Sequence, residues 1–286
     1  MIQPKNDWDW KNAQTLIGDI KGQNEGFGRS LWKSTTKGEF YWPVAGIQLS
    51  DTVYIFCSGV KLTGTGTLGF DYSGQNVLAK MKFPEMKVVG YKTLQDFYSI
   101  HYGIGFINDK KTGYTYVYGI KTVPKNNDLY VARFPTKNPN TLWEAWDGKN
   151  WNSNMAKAAC IKSNVGATPY ISKVKNKILM VSSAYSVGCD MGKDISSATS
   201  SRFMGPFSDL KTIYTIPDRL NGHSPFFYVP ASHPEYINSK NELLVTYCIN
   251  GYGTCVTGCN DGRMEADRYR VRGICVPLSL IDPALK

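Results

Sequence analysis

The residues of this 286-residue chain best suited to chemistry stand where polar or aromatic side chains lead into apolar runs. Glu39, Tyr41 and Trp42 open "EFYWPVAGIQL", and His101 with Tyr102 opens "HYGIGFIN". Asn164 precedes "VGATPYISKV", and His223 with Ser224 precedes "PFFYVPA". Carboxylates and imidazoles move protons between reacting groups. The flat apolar faces of Trp and Tyr stack on sugar rings. Each residue also has a plainer role. For His101 and His223 that role is a hydrogen bond to a neighbouring sheet, since a polar group leading an apolar strand is costly without a partner or water. For Trp42 it is packing between sheets. Exposure separates the two: Tyr41, Trp42 and Tyr102 face solvent if they stack on sugar and are buried if they pack.

These groups need a scaffold, and the chain advertises one by repetition. "DTVYIFCSGV", "TGYTYVYGIK", "KNKILMVSSAY" and "KNELLVTYCIN" align on Tyr54, Tyr116, Leu179 and Leu244, at intervals of 62, 63 and 65 residues. Each is preceded by a second strand-like run and followed by a polar loop and a third: "QNVLAKMKF", "NDLYVARFP", "ATSSRFMGPF" and "RYRVRGICVPL". A module made only of strands cannot bury both faces alone, so copies stack, and radial stacking of four-stranded sheets gives a β-propeller. The expectation is a single all-β propeller domain over 1–286. Blades fall at 39–98, 99–160, 161–219 and 220–286, with 1–38 as a partial blade or ring closure. Four clear blades and a remnant favour the five-bladed type, with a four-bladed ring as the alternative. In a propeller the first strand of each blade lines the central channel, so the residues above would gather at one funnel-shaped mouth.

Composition narrows the function. Frequent Gly and aromatic residues without long helical periodicity suit strands and turns. No apolar run approaches the roughly 18 residues of a membrane span. The formal charge of +10 is scattered along the chain, with no binding motif beside it, so no nucleic-acid partner is expected, although an acidic polymer is compatible. "MIQPKNDWDW" lacks the basic-then-apolar pattern of a secretory signal, leaving an intracellular protein or a leader outside this sequence. Of seven cysteines, Cys255 and Cys259 in "GYGTCVTGCNDGR" are the candidates for a local disulfide, which suits the spacing better than zinc. Cys57 and Cys248, inside apolar runs, read as buried thiols. "WEAWDGKNW" reads as an outer-edge strand and hairpin, "GFDYSGQN" places Asp71 in a loop, and "DGRMEADRYRVR" reads as a self-neutralising surface network. Phosphate loops, GxSxG elbows and HExxH helices are absent from the sequence.

"YWPVAGIQLSDTVYIFC", "LYVARFP" followed by "WEAWDGKNW", and the closing "NELLVTYCINGYGTCVTGCNDGRMEADRYRVRGICVPLSLID" resemble a family of uncharacterised bacterial five-bladed propellers. That family is similar to endo-D-arabinanases and, more broadly, to five-bladed glycoside hydrolases. The resemblance runs from about Asp7 onward and implies a carbohydrate-active protein whose active relatives use paired carboxylates as acid and base or nucleophile. Such pairs stand about 5 Å apart for retention and about 6.5–9.5 Å for inversion. In the arabinanase relatives the essential aspartates lie in the first blade, most of which is missing or reduced here. Asp9, Asp19 and Glu39 are the nearest acidic residues by position, with Glu39 best placed.

The resulting expectation is a propeller of the glycoside-hydrolase type acting on a polysaccharide at the mouth. The alternatives are a carbohydrate-binding propeller without catalysis and a protein-interaction platform. Glu39, Asp9 and Asp19 are the candidate catalytic acids. Tyr41, Trp42, His101, Tyr102, Asn164 and His223 are the candidate substrate contacts. No cofactor or metal is implied beyond a structural ion such as calcium that a propeller channel could hold. The partner is a carbohydrate polymer, met by a monomer in an extracellular or periplasmic setting.

Overall fold

The computed structural model describes residues 31–64, 69–185, 189–219, 222–250, 259–260, 263–264 and 271–285. Asp9, Asp19 and most of the expected partial blade lie outside them, as does Cys255. Four antiparallel sheets follow one another along the chain. The first contains β1 (Glu39–Leu49), β2 (Thr52–Leu62), β3 (Phe70–Lys82) and β4 (Lys87–Thr93) in sequential order. The second adds a short fifth strand: β5 (His101–Asp109), β6 (Tyr114–Val123), β7 (Asn126–Pro135), β8 (Glu144–Trp146) and β9 (Trp151–Asn152). The third is β10 (Tyr170–Val174), β11 (Lys177–Ser183), β12 (Asp194–Ser200) and β13 (Lys211–Thr215). The fourth joins β14 (Phe226–Ile237), β15 (Glu242–Asn250) and β18 (Val271–Pro277), with β16 (Cys259–Asn260) and β17 (Arg263–Met264) forming a separate hairpin. Among the described residues this is an all-β propeller with four blades.

The repeated stretches are the second strand of each blade, and in the second and third blades they are apolar on both sides because each of these blades packs against a neighbour on both faces. Tyr116, Val117 and Tyr118 are consecutive and buried, as are Leu179, Met180 and Val181. Strict alternation would leave one face wet; a continuous apolar run is the mark of a strand covered twice. Phe56 and Leu78 of the first blade meet Phe97, Tyr102, Phe134 and Trp143 of the second. Ile107, Tyr118 and Leu129 meet Ile171 and Met180 across the next interface. Leu179, Val181 and Ile195 meet Phe227, Val245 and Tyr247 across the third. The outer face of the first blade carries Tyr41, Cys57, Val77 and Ala79, packed against Trp32 and Tyr91.

The first strands lie side by side in the order β1, β5, β10, β14. No comparable contact joins β14 back to β1 among the described residues. β10 and β14 run in the same sense: the Val229 N–H donates to Thr168 Oγ1 at 2.8 Å, and further along the Ser172 and Ser232 hydroxyls meet at 2.7 Å. β10 and β14 therefore begin at the same end of the molecule, and the starts of β1 and β5 lie together as well, since Tyr72, in register with Val60 and Phe40, packs on the His101 ring. We call the end where these first strands start the mouth. Gly105 of β5 shows how tightly they approach, because a Cβ there would lie 2.2 Å from the Ile171 carbonyl oxygen.

After β18, helix α1 (Leu278–Ile281) and Asp282 close back onto the third blade. Asp282 accepts from Thr199 Oγ1 at 2.8 Å and pairs with Lys177 at 3.5 Å. Cys189 is disulfide-bonded, a role not anticipated for it, while Cys57, Cys160, Cys248 and Cys275 are free. Cys57 is fully buried and its thiol is pushed up to about 12 by desolvation, whereas Cys248 is only half-buried. "WEAWDGKNW" is the expected outer hairpin, β8 and β9, with Asp147 Oδ1 accepting from the Lys149 and Asn150 amides to close its turn. No described helix is long and apolar enough to cross a membrane.

Gly105→Ala should destabilise the protein by about 1–3 kcal/mol, because the new methyl group forces β5 and β10 apart. Denaturant melts followed by tryptophan fluorescence would read it, and an unchanged midpoint would contradict the close packing of the inner strands.

Candidate functional site

Glu39 is the first residue of β1, and β-register aligns it with Lys61 and then Asp71. Its side chain is only 4% exposed, with Lys61 Nζ 3.8 Å from one oxygen and the Ser34 hydroxyl donating to the other at 3.4 Å. Strand alternation puts it on the same face as Tyr41, turned away from the second blade. Glu39 thus stands at the mouth, paired with a cation and nearly covered. Asp71 is exposed within β3 and not in the loop expected for it.

The opposite face of the same strands carries an aromatic band. Trp42 is 44% exposed and meets Phe70 edge-on at 5.0 Å. Phe70 lies 6.1 Å from Tyr72, which is 54% exposed and in turn packs 4.8 Å from the His101 ring on the second blade. Trp32, Phe40, Tyr41, Trp42, Pro43 and Phe70 line an open, largely apolar cavity of ≈ 290 Å³ beside this band. His101 is partly covered, and burial lowers its titration below the ordinary imidazole range, favouring the neutral ring. Phe70 and Tyr72 were missed by sequence reasoning. Their alternation around Asp71 was the available signal, concealed by the Gly-rich surroundings that suggested a loop.

Two expected contacts are framework. Tyr41 is 7% exposed and packs on Tyr91 at 5.1 Å, while Tyr102 is 1% exposed between the first two blades, with Trp143, Phe97 and Phe56 nearby. By the exposure criterion both rings pack and do not stack on a ligand. Asn164 does not lead a strand either. It sits six residues before β10 in a left-handed turn (φ 56°), its N–H donating to Asp128 Oδ1 at 3.1 Å.

The last group lies where the β11–β12 loop meets the start of β14. His223 Nδ1 is 2.6 Å from Asp190 Oδ2, and Arg219 lies 3.7 Å from Asp190 Oδ1. Asp190 and Ser224 exchange a reciprocal pair: the Ser224 N–H donates to Asp190 Oδ1 at 2.8 Å, and the Asp190 N–H donates to the Ser224 carbonyl at 2.9 Å. The Ser224 amide, then His223 and Arg219, hold the Asp190 carboxyl below the usual range. Asp190 and Arg219 were not singled out from the sequence, since loop residues 29 positions apart give no periodic signal. Among the described residues no cluster of three or more His, Cys, Asp or Glu could hold a metal ion.

The profile of DUF5005, a domain of unknown function, matches residues 1–276. The chain belongs to that family. No curated protein matches it. Among solved structures, a Bacteroides ovatus ATCC 8483 protein provisionally named a hydrolase aligns over 84% of this chain and 61% of its own, with 20% identity and a TM-score of 0.63. A glycosyl hydrolase from Bacteroides ovatus aligns over 95% and 82%, with 13% identity and a TM-score of 0.49. An exo-β-1,3-galactanase from Phanerochaete chrysosporium aligns over 85% and 48%, with 13% identity and a TM-score of 0.49. This chain spans about 61% of the first of these proteins, and the likeness to it is one of fold.

Tyr72→Ala should raise the His101 titration back toward about 6.5, because removing the neighbouring ring readmits water. Burial sets the folded value below the unfolded one, so His101 costs stability as pH falls from about 6.5 to the folded value. Nuclear magnetic resonance of the His101 ring against pH would check the upward shift; a further downward shift would contradict burial as its cause.

Proposed function

We propose that this DUF5005 member is a carbohydrate-active propeller that takes a polysaccharide at its mouth. The observation that carries the reading is the aromatic band in which exposed Trp42 and Tyr72 flank half-buried Phe70, leaving flat apolar surface at water on the end where the first strands begin. A sugar ring covers such a face with its C–H groups while its hydroxyls stay solvated. The glycosyl hydrolase and galactanase with which the chain aligns accord with this substrate class, as does the narrower resemblance to endo-D-arabinanases. We place the protein outside the cytoplasm, a setting supported by the disulfide at Cys189, and take it to act as a monomer.

Binding is the part of this reading the geometry supports best. Hydrolysis is the second reading, favoured by the presence of Glu39 at the start of β1, where an acid would face the mouth. Against it stands the Lys61 ion pair, which together with near-complete burial leaves Glu39 little access to a glycosidic oxygen.

Two measurements on a polysaccharide panel test these readings. In affinity electrophoresis, Trp42→Ala and Tyr72→Ala should each weaken retention about tenfold, equivalent to about 1.4 kcal/mol, and retention equal to wild type would overturn the binding mouth. In a reducing-end assay, Glu39→Gln should abolish release if Glu39 is the acid, with the melting temperature nearly unchanged. Unaltered turnover removes Glu39 from catalysis and leaves the binding result standing.

A further inference from the structure

The Asp190 cluster uses more charge than its structural task needs. The β11–β12 loop is pinned to the start of β14 by the reciprocal Asp190–Ser224 pair, which needs neither Arg219 nor His223. Both of these side chains are nonetheless about half-exposed, 54% for Arg219 and 47% for His223. Both oxygens of Asp190 are already occupied, one by His223 Nδ1, the other by the Ser224 amide with Arg219 beyond it. Arg219 reaches Asp190 through a single nitrogen at 3.7 Å. A guanidinium carries five N–H donors, so most of the fork remains for another acceptor. His223 is fixed through Nδ1 on Asp190, so its Nε2 donates to a second carboxylate as the imidazolium, the form that carries both N–H groups.

We infer that Arg219 and His223, held on Asp190, form a carboxylate-recognising subsite of the mouth, and that the polysaccharide taken there carries uronic-acid groups. The inference rests on the carbohydrate reading above and adds its substrate class. A planar fork with outward N–H groups matches a carboxylate in two parallel hydrogen bonds, which a neutral hydroxyl cannot accept equally well. Asp190 acts as a positioning residue: it orients both donors, and its charge is offset by the groups that touch it. The net charge of +10 on the chain favours the approach of an acidic polymer in the same sense. The subsite occupies the side of the mouth between the third and fourth blades, while the aromatic band lies between the first and second. A polymer can therefore be held by stacking at one place and by charge at another.

The test uses the full chain and two probes that share one backbone and differ in the charge of the carboxyl group and the methyl that masks it: polygalacturonate and its methyl ester, in affinity electrophoresis at constant salt. Wild type should retain polygalacturonate more strongly than the ester. Arg219→Gln and His223→Gln should each weaken polygalacturonate binding about fivefold, as expected for charge-assisted bonds at a half-exposed site, and leave the ester unaffected. Lys87→Gln, at the end of the first blade away from the mouth, should leave both unchanged. Melting temperatures of the Arg219 and His223 variants should match wild type, since the loop stays pinned by Ser224. Equal binding of the two probes, or an equal loss in Lys87→Gln, would reduce the effect to general basicity and overturn the subsite. If Trp42→Ala still weakens ester binding in that case, the aromatic mouth survives and this inference falls alone. If neither probe is retained and no other glycan is, both readings fall together.

Discussion

Every blade has to be covered on two faces, and this requirement organises the molecule. A four-stranded sheet of this size buries too little by itself, so each apolar side of a second strand needs a neighbouring blade. Phe56 at the first interface, Tyr118 at the second, and Leu179 with Phe227 at the third meet that need, each side chain of this size contributing about 1.5–3 kcal/mol on burial. The same packing draws the first strands together until Gly105 has no room for a methyl group. Once those strands run in one sense, their starts have to share one end of the molecule. The mouth is a consequence of blade packing and not an independent feature.

The first blade departs from the rule in an informative way. Its second-blade side is sealed near Phe56 and Leu78 but opens toward the strand starts, where Trp42 and Tyr72 remain exposed. Large aromatic rings at water are unfavourable unless something covers them, which is why such patches mark contact sites. The carboxylates nearby are in a different state: Glu39 is shielded and paired, and Asp190 is surrounded by donors. Flat apolar surface on one side and the half-exposed Arg219 guanidinium on the other are the groups that the proposed polymer would meet.

Much of the scaffold was legible because it repeats. Three strands of each module carry enough apolar character to be seen, and the alignment on Tyr54, Tyr116, Leu179 and Leu244 falls on β2, β6, β11 and β15. The outermost strands were harder. β8 and β9 were legible only through the aromatic-rich turn of "WEAWDGKNW", being too short to show alternation, and the fourth blade replaces a regular edge with a separate hairpin. The site was legible only in part. Trp42 is exposed, His101 opens β5 and His223 lies three residues before β14, but Tyr41 and Tyr102, of the same chemical type, are buried.

Residue order by itself determined the all-strand module, its period and the place of each module's leading strand, since apolar runs and turn residues are local properties. Which face of a leading strand meets water depends on the neighbouring blade, and no local pattern records that. Tertiary structure therefore decided that Phe70 and Tyr72 would extend the Trp42 surface, that Lys61 would cover Glu39, and that Asp190 would meet Arg219 and His223. These contacts arise between segments brought together only when the sheets pack, so their chemistry had no trace in the spacing of the chain.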